Sequence, residues 1–431
     1  MHIAILGRQP AIGVAELERL YGAKAVSWFG ETSARIDNDT FDFTHLGGSL
    51  KAGQVTLELP GGNWRRVSTA IVEHYLKAWQ STEHKLTLGI SAYGWDVSTR
   101  DVQGTGIVLK KKLRTHNVSV RLIPNQDIAL STATSHHNKL GANPHRIELL
   151  VVRGASGRII VAESVGTQNI SAFAARDQAR PRTDAFVGML PPKLARIMTN
   201  LAVHHSASSR HPDSSDSEGS AFPAERDQEQ LATSGRARLR RMDYQGDDER
   251  LTVLDPFCGT GVVLQEALIL GYAARGTDLS DKMVDYSQQN LSWLTAKFDL
   301  PSSDFEVHQG DAMTHKWQPP IDAVICETYL GQPFSAPPSP AKLTEVRGNC
   351  DHIISTFLTN IAGQLAPGTP LAIAVPAWND GTGHFTHLPL IDRLDKLGYR
   401  PVTLKHARPE QLLYYREGQV VARELLLLEK I

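Results

Sequence analysis

From residue 251 onward, short apolar runs rich in β-branched residues alternate with helix-length stretches. That alternation restricts the second half of the chain to a parallel sheet with helices on both faces. Strands are expected over 251–254, 273–277, 305–308, 321–326, 371–375 and 401–404, with helices over 261–270, 281–294, 352–365 and 389–397 between them. The ending differs: residues 411–415, a turn at Arg416-Glu417-Gly418 and residues 420–427 read as a hairpin, so the last strand runs antiparallel to its neighbour. One helix of this unit lies upstream, in Leu190-Pro-Pro-Lys-Leu-Ala-Arg-Ile-Met-Thr-Asn-Leu-Ala202. Pro192 stands near its first helical position, and Leu194, Ile197, Met198 and Leu201 form an i, i+3, i+4, i+7 stripe suited to packing on the sheet.

The first half reads as α+β. Residues 1–60 carry a strand (2–6), a helix (12–21) and strands near 25–29 and 54–59. Residues 61–165 carry a helix (67–79), a strand (85–90), a helix (105–116) and strands over 119–123, 146–152 and 159–165. Residues 204–250 are rich in Ser, Asp, Glu, Arg and Gly and are expected to be a disordered insertion, with Arg236-Ala-Arg238-Leu-Arg240-Arg241 as part of a solvated tether. Charge divides unevenly: residues 1–200 hold 24 Lys and Arg against 16 Asp and Glu, whereas residues 201–431 hold 21 against 30. A basic half joined to an acidic one fits a polyanion-binding module tied to a unit that need not touch phosphate.

Several classes fall away. No apolar run reaches the ~18–20 residues of a membrane helix, and the first residues lack a basic leader before an apolar stretch, which argues against secretion. Three cysteines (Cys258, Cys326, Cys350) and no CxxC pattern offer neither a disulfide framework nor a zinc site. The expectation is a cytoplasmic protein without membrane or metal. The double histidine His136-His137 is expected on a surface loop.

Chemistry concentrates at the expected strand ends. Asp255-Pro256-Phe257-Cys258-Gly259-Thr260-Gly261 carries an apolar strand through a two-glycine turn into a helix, where α/β sheets hold nucleotide-like ligands. A dinucleotide fingerprint would place Gly or Ala where Leu264 stands, which argues against NAD. Asp278, 17 residues beyond Gly261, ends the next strand, where a carboxylate accepts hydrogen bonds from ribose hydroxyls, and Asp311 follows the third strand within reach of an adenine amine. The fourth strand ends in Ile325-Cys326-Glu327-Thr328-Tyr329-Leu330-Gly331. An acceptor such as Glu327 can hydrogen-bond an exocyclic amine, localise its lone pair and stabilise positive charge developing on nitrogen. Tyr329 could stack on the base that bears the amine. A parallel sheet closed by one antiparallel hairpin is also the layout of Rossmann-like methyltransferases.

Together these features resemble the THUMP-domain tRNA methyltransferases, and among them the tRNA guanosine-2 N-methyltransferases acting on guanine 10. The helix segment ending at Ala202, the Asp255–Gly261 loop and Tyr415-Arg416-Glu-Gly-Gln419-Val-Val-Ala-Arg423-Glu424 carry the resemblance. So does Arg176-Asp177-Gln-Ala-Arg180-Pro181-Arg182-Thr-Asp184, which is similar to the family's segment joining the two halves. The resemblance implies an N-terminal ferredoxin-like domain (1–60), a THUMP RNA-binding domain (61–170), a linker with the first methyltransferase helix (171–203) and, after the insertion, a Rossmann-like class I methyltransferase domain (251–431). It implies S-adenosyl-L-methionine as cofactor, held by Asp255, Cys258, Gly259, Thr260, Gly261, Asp278, Asp311 and Ala312. Glu327 and Tyr329 are the implied catalytic residues. The implied partner is tRNA, with a small activator protein as a further candidate, and the implied RNA contacts are Lys110, Lys111, Lys112, Arg114, Arg121, Arg176 and Arg182. The chain departs from the family at Glu327-Thr328-Tyr329-Leu330-Gly331, which replaces the usual Asp-Pro-Pro-Tyr-Gly. That departure keeps a non-catalytic RNA-binding protein of the same fold as one alternative. A DNA amino-methyltransferase is another, although it leaves residues 1–165 without a major-groove reading helix.

Overall fold

The computed structural model describes residues 1–184, 189–203 and 250–431. The expected insertion therefore lies, apart from Arg250, outside the described residues. Strands β1 (His2–Leu6), β2 (Val26–Gly30), β3 (Ser33–Ile36) and β4 (Ser49–Leu59) accompany helix α1 (Pro10–Tyr21). Helices α2 (Trp64–Trp79), α3 (Thr99–Arg114) and α4 (Thr132–His137) follow, with β5 (Leu86–Tyr93), β6 (Val120–Leu122), β7 (Arg146–Arg153) and β8 (Ile159–Thr167). All eight strands form one sheet in the order β2-β3-β1-β4-β8-β7-β5-β6. The boundary expected at residue 60 falls within this sheet because β4 is long enough to pair with β1 through its first half and with β8 along most of its length. His136 and His137 end α4 rather than lying on a loop, and the His136 ring nitrogen is 3.1 Å from the Ser171 hydroxyl.

Helices α5 (Ile170–Gln178) and α6 (Pro192–Ala202) lead into the second sheet. Its elements are β9 (Thr252–Asp255), α7 (Val262–Ile269), β10 (Ala273–Asp278), α8 (Asp281–Phe298), β11 (Phe305–Gln309), β12 (Ala323–Glu327) and α9 (Pro340–Ala362). Then come β13 (Pro370–Asn379), β14 (Phe385–Thr386), β15 (Tyr399–Pro401), β16 (Leu413–Tyr414) and β17 (Val421–Lys430). The order β11-β10-β9-β12-β13-β17-β15 places five parallel strands at one side and inserts β17 antiparallel between β13 and β15. This is the α/β layout expected of a Rossmann-like methyltransferase. Every residue of β9 is buried, as expected of a strand covered on both faces.

Two local expectations are corrected. The helix expected over 389–397 is a 3-10 turn, Pro389–Arg393. The Asp351 carboxylate accepts from the Leu390 N–H at 2.7 Å and pairs with Arg393, so contacts with α9 hold the segment as a turn. The closing hairpin is short: Pro409–Gln411 forms a 3-10 turn, only Leu413 and Tyr414 pair with β17, and β13 is the long antiparallel partner.

Helix α6 joins the two sheets. Leu194, Ile197, Met198 and Leu201 are buried in a core that also holds Leu17 of α1, Leu264 of α7 and Leu427 of β17. Buried ionic groups reinforce the joint. Glu266 of α7 pairs with Arg176 of α5 and Arg196 of α6. Glu16 of α1 accepts from Asn200 Nδ2 at 2.7 Å and from the N–H groups of Gly47 and Gly48 at 2.8 Å. On the far side of α1, Glu18 accepts from the N–H groups of Lys405 and His406 at 2.7 and 2.8 Å. Removing one partner of such a buried network strands the others as uncompensated charges. Glu266→Ala is therefore expected to destabilise the protein by about 3–5 kcal/mol, read as a fall in the urea midpoint at unchanged m-value.

Candidate active site

The site is built at the carboxyl ends of β9, β10, β11 and β12, where the order of strands reverses about β9 and opens a crevice. Asp255 closes β9, in line with Gly276 of β10, and Asp278 closes β10 in line with Gln309 of β11. Gly259 (φ +50°) and Gly261 (φ +82°) turn the chain from β9 into α7. A Cβ at Gly261 would lie 2.4 Å from the Ser287 hydroxyl, so no side chain fits there. At Gly259 a Cβ would meet no atom closer than the Phe257 carbonyl at 4.0 Å, which leaves the outer face of the loop free for a ligand. Gly261 N–H donates to the Cys258 carbonyl at 2.7 Å, closing the turn, while Thr260 and Cys258 are buried beneath it. Leu264, which stands in for the third glycine of a dinucleotide fingerprint, packs against Gly276.

The structure brings the expected acids together. Asp278 Oδ2 accepts from the Gly259 N–H and Oδ1 from the Ser280 N–H, both at 2.9 Å, which fixes the carboxylate beside the loop. Asp311 lies two residues beyond β11, with Oδ1 on the Met313 N–H at 2.9 Å. Ala312 beside it is buried, its carbonyl accepting from Asn360 Nδ2 at 3.0 Å. Glu327 ends β12 with its side chain 16% exposed, and Oε1 accepts from Arg423 Nε. Tyr329 is 42% exposed at the mouth. Thr328 donates both its N–H and its hydroxyl to the Ala374 carbonyl at 3.0 Å, extending the β12–β13 ladder past Glu327.

Three participants were not among the expected site residues. Arg423 reaches Glu327 across β13, which separates β12 from β17, so only the folded sheet order reveals the pair. Leu279, 69% exposed directly after Asp278, offers an apolar platform beside the carboxylate; an apolar residue following a strand-end acid is the signal that could have found it. Asn290 of α8 donates to the Thr260 carbonyl at 2.9 Å and exchanges hydrogen bonds with the backbone of Arg182, tying the linker to the glycine loop.

The expected RNA contacts separate into four groups. Lys110, Lys111, Lys112 and Arg114 are exposed in the last turns of α3. Arg121 on β6 lines a cavity of about 270 Å³ with Lys85, Thr87, Asn143, His145 and Arg146, a basic lining that contains no acid. Arg176 is corrected: it is buried, its guanidinium pairs with Glu266 and lies over Phe173, and it cannot reach a phosphate. Arg182 is exposed but belongs to the cofactor-loop side, donating to Gln289 at 2.7 Å.

No family model matches the chain. Over 128 residues, 30% of this chain, it is 28% identical to the tRNA (guanine(10)-N2)-dimethyltransferase of Methanothermobacter thermautotrophicus. That stretch of the chain is similar to a tRNA guanine-N2 methyltransferase. The match spans about a third of that relative's length (34%). Among solved structures, TrmN from Thermus thermophilus aligns over 100% of this chain and 99% of its own, with a TM-score of 0.50 and 17% identity, a likeness of fold. Among the described residues no helix is long and apolar enough to cross a membrane, and no group of three or more His, Cys, Asp and Glu could hold a metal ion.

Burial dominates the electrostatics of the site. It pushes the Asp255 carboxyl well above the usual carboxylate range; the Phe257 N–H opposes the shift, and the charges of Asp278 and Glu327 add to it. Burial likewise raises Glu327, with the Arg423 guanidinium acting against the rise. Burial, aided by Asp255, pushes the Cys258 thiol well above its usual range. An acid raised in the folded state contributes stability that is present below its unfolded pKa and is lost as pH rises through its folded pKa. Asp255→Asn keeps an acceptor for the Phe257 N–H and removes this dependence. The melting temperature of the variant minus that of the wild type is therefore expected to increase between pH 5 and pH 8; a difference that stays flat would contradict the assignment.

Proposed function

We propose that the protein is an S-adenosylmethionine-dependent tRNA methyltransferase acting on the exocyclic N2 amine of a guanosine, with guanosine 10 as the favoured position. The observation that carries the proposal is the placement of Glu327, a carboxylate anchored through one oxygen, on the strand next to a glycine loop fitted for a nucleoside cofactor. The relative's name, a guanine-N2 dimethyltransferase, supplies the acceptor.

When bound, the cofactor supplies an electrophilic methyl group on a sulfonium and departs as a neutral thioether. Asp278 is placed to accept from ribose hydroxyls, Asp311 from an adenine amine, and Leu279 to cover the adenine face. Gly259 and Gly261 let the ligand approach the backbone. Arg423 holds Oε1 of Glu327 and leaves Oε2 for the N–H of the incoming amine, which localises the nitrogen lone pair toward the methyl carbon. Alignment of the amine is the main contribution of these residues; as the N–C bond forms and the methyl–sulfur bond breaks, the proton lost from nitrogen would pass to Oε2 of Glu327 or to solvent. Tyr329 at the mouth is placed to stack on a guanine turned out of its helix.

The eight-stranded sheet and its helices supply the RNA-binding half, read here as the ferredoxin-like and THUMP units. The α3 cluster and the basic cavity at Arg121 would contact phosphate without reading sequence. Incubation of the protein with labelled S-adenosylmethionine and unmodified tRNA, followed by nucleoside analysis, is expected to yield N2-methylguanosine. Glu327→Ala should lower the rate by roughly 10²–10³-fold without lowering tRNA affinity. Binding of tRNA and cofactor with no methyl transfer would instead establish a non-catalytic RNA-binding protein. Lys111→Glu with Lys112→Glu should weaken tRNA binding and reduce the slope of log affinity against log salt by roughly 0.7–0.9 for each phosphate no longer neutralised, a change read by filter binding across a salt series.

A further inference from the structure

The segment between α5 and α6 carries a buried cation whose donors the described residues do not satisfy. Arg180 is 4% exposed, yet its Nε and Nη1 have no hydrogen-bond partner. Its remaining terminal nitrogen, Nη2, lies 2.6 Å from the Met189 sulfur, a weak acceptor. Asp177 acts on Arg180 only through space; its charge opposes the fall in pKa that burial imposes. A buried guanidinium with idle N–H groups is a rare arrangement that calls for a ligand or another explanation.

Its position narrows the ligand. Two residues on, the backbone of Arg182 is joined to Asn290, whose amide also holds the Thr260 carbonyl, so the segment carrying Arg180 is tied to the wall of the glycine loop. In the proposed site the adenosine end points toward Asp278 and Asp311, and the methyl group toward Glu327. The remaining arm of the cofactor, its amino-acid tail, is the part left for the α6 side of the loop. That tail ends in a carboxylate, the group that the planar fork of a guanidinium matches with two parallel hydrogen bonds.

We infer that Arg180 is the cofactor's carboxylate anchor, with Nε and Nη1 receiving the α-carboxylate of the methionine moiety. The inference rests on the proposed cofactor, and the test separates the two. The full chain is titrated by calorimetry with S-adenosylmethionine and with decarboxylated S-adenosylmethionine, which lacks only that carboxylate. Arg180→Met is expected to weaken binding of S-adenosylmethionine by roughly 10- to 100-fold, while decarboxylated cofactor binds wild type and variant alike. Arg180→Lys should recover part of the loss, because it restores the charge without the fork. Circular dichroism and thermal unfolding of each variant report whether the fold is retained.

Equal weakening of both ligands, or no weakening of either, would overturn the anchor while leaving the cofactor reading intact. Failure of the wild type to bind S-adenosylmethionine at all would overturn the cofactor reading and the anchor with it. An Arg180→Met protein that does not fold, together with an Arg180→Lys protein that folds and binds both ligands as the wild type does, would show that Arg180 serves the fold alone.

Discussion

The carboxylate of Glu266 lies between the guanidinium groups of Arg176 and Arg196, one from the helix that leaves the first sheet and one from the helix that packs on the second. With side chains between 0% and 6% exposed, all three depend on one another for the polar contacts that water would otherwise provide. Arg196 also donates to the Thr44 carbonyl at 3.2 Å, which brings the first sheet into the same network. The apolar core follows the same route, running from α1 through α6 to α7 without a break. The two sheets are thus parts of one folded body, and the glycine loop sits on the helix that carries Glu266.

From this joint the site follows by topology. Four parallel strands end together, and each end presents an acid or leads into one: Asp255, Asp278, Asp311 beyond β11, and Glu327. Burial is the main reason the Asp255 carboxyl rises, and the nearby charges of Asp278 and Glu327 add to it. Arg423 supplies one opposing charge from the inserted antiparallel strand. The same pairing holds the Glu327 side chain, and Thr328 continues the ladder past it. Here a side chain and a ladder together position the acceptor.

What could be read from the sequence was local. The Asp255–Gly261 loop, Asp278 and Asp311 are marked by strand-to-turn transitions within a few residues, and the structure places them side by side. Arg423 is visible as part of a motif, yet its partnership with Glu327 spans 96 positions and an intervening strand. Arg176 resembles a surface cation because Asp177, Gln178 and further arginines follow it; its partner lies 90 positions away. Residues 389–393 have a helical apolar spacing, but their N–H and guanidinium groups are claimed by Asp351. Helix α9 begins at Pro340, earlier than expected, since Ser339 caps it just after a proline-rich run that resembles a loop. In each case the deciding contact comes from a distant element, which periodicity cannot register.

The crowding of acids at the strand ends also bears on turnover. A low-dielectric crevice lined by Asp255, Asp278 and Glu327, with Arg423 in opposition, favours a positively charged guest over a neutral one of the same shape. A sulfonium satisfies that preference and the thioether left after methyl transfer does not. Carboxylates beside a bound sulfonium would therefore help distinguish fresh cofactor from spent, drawing in the one and loosening their grip on the other.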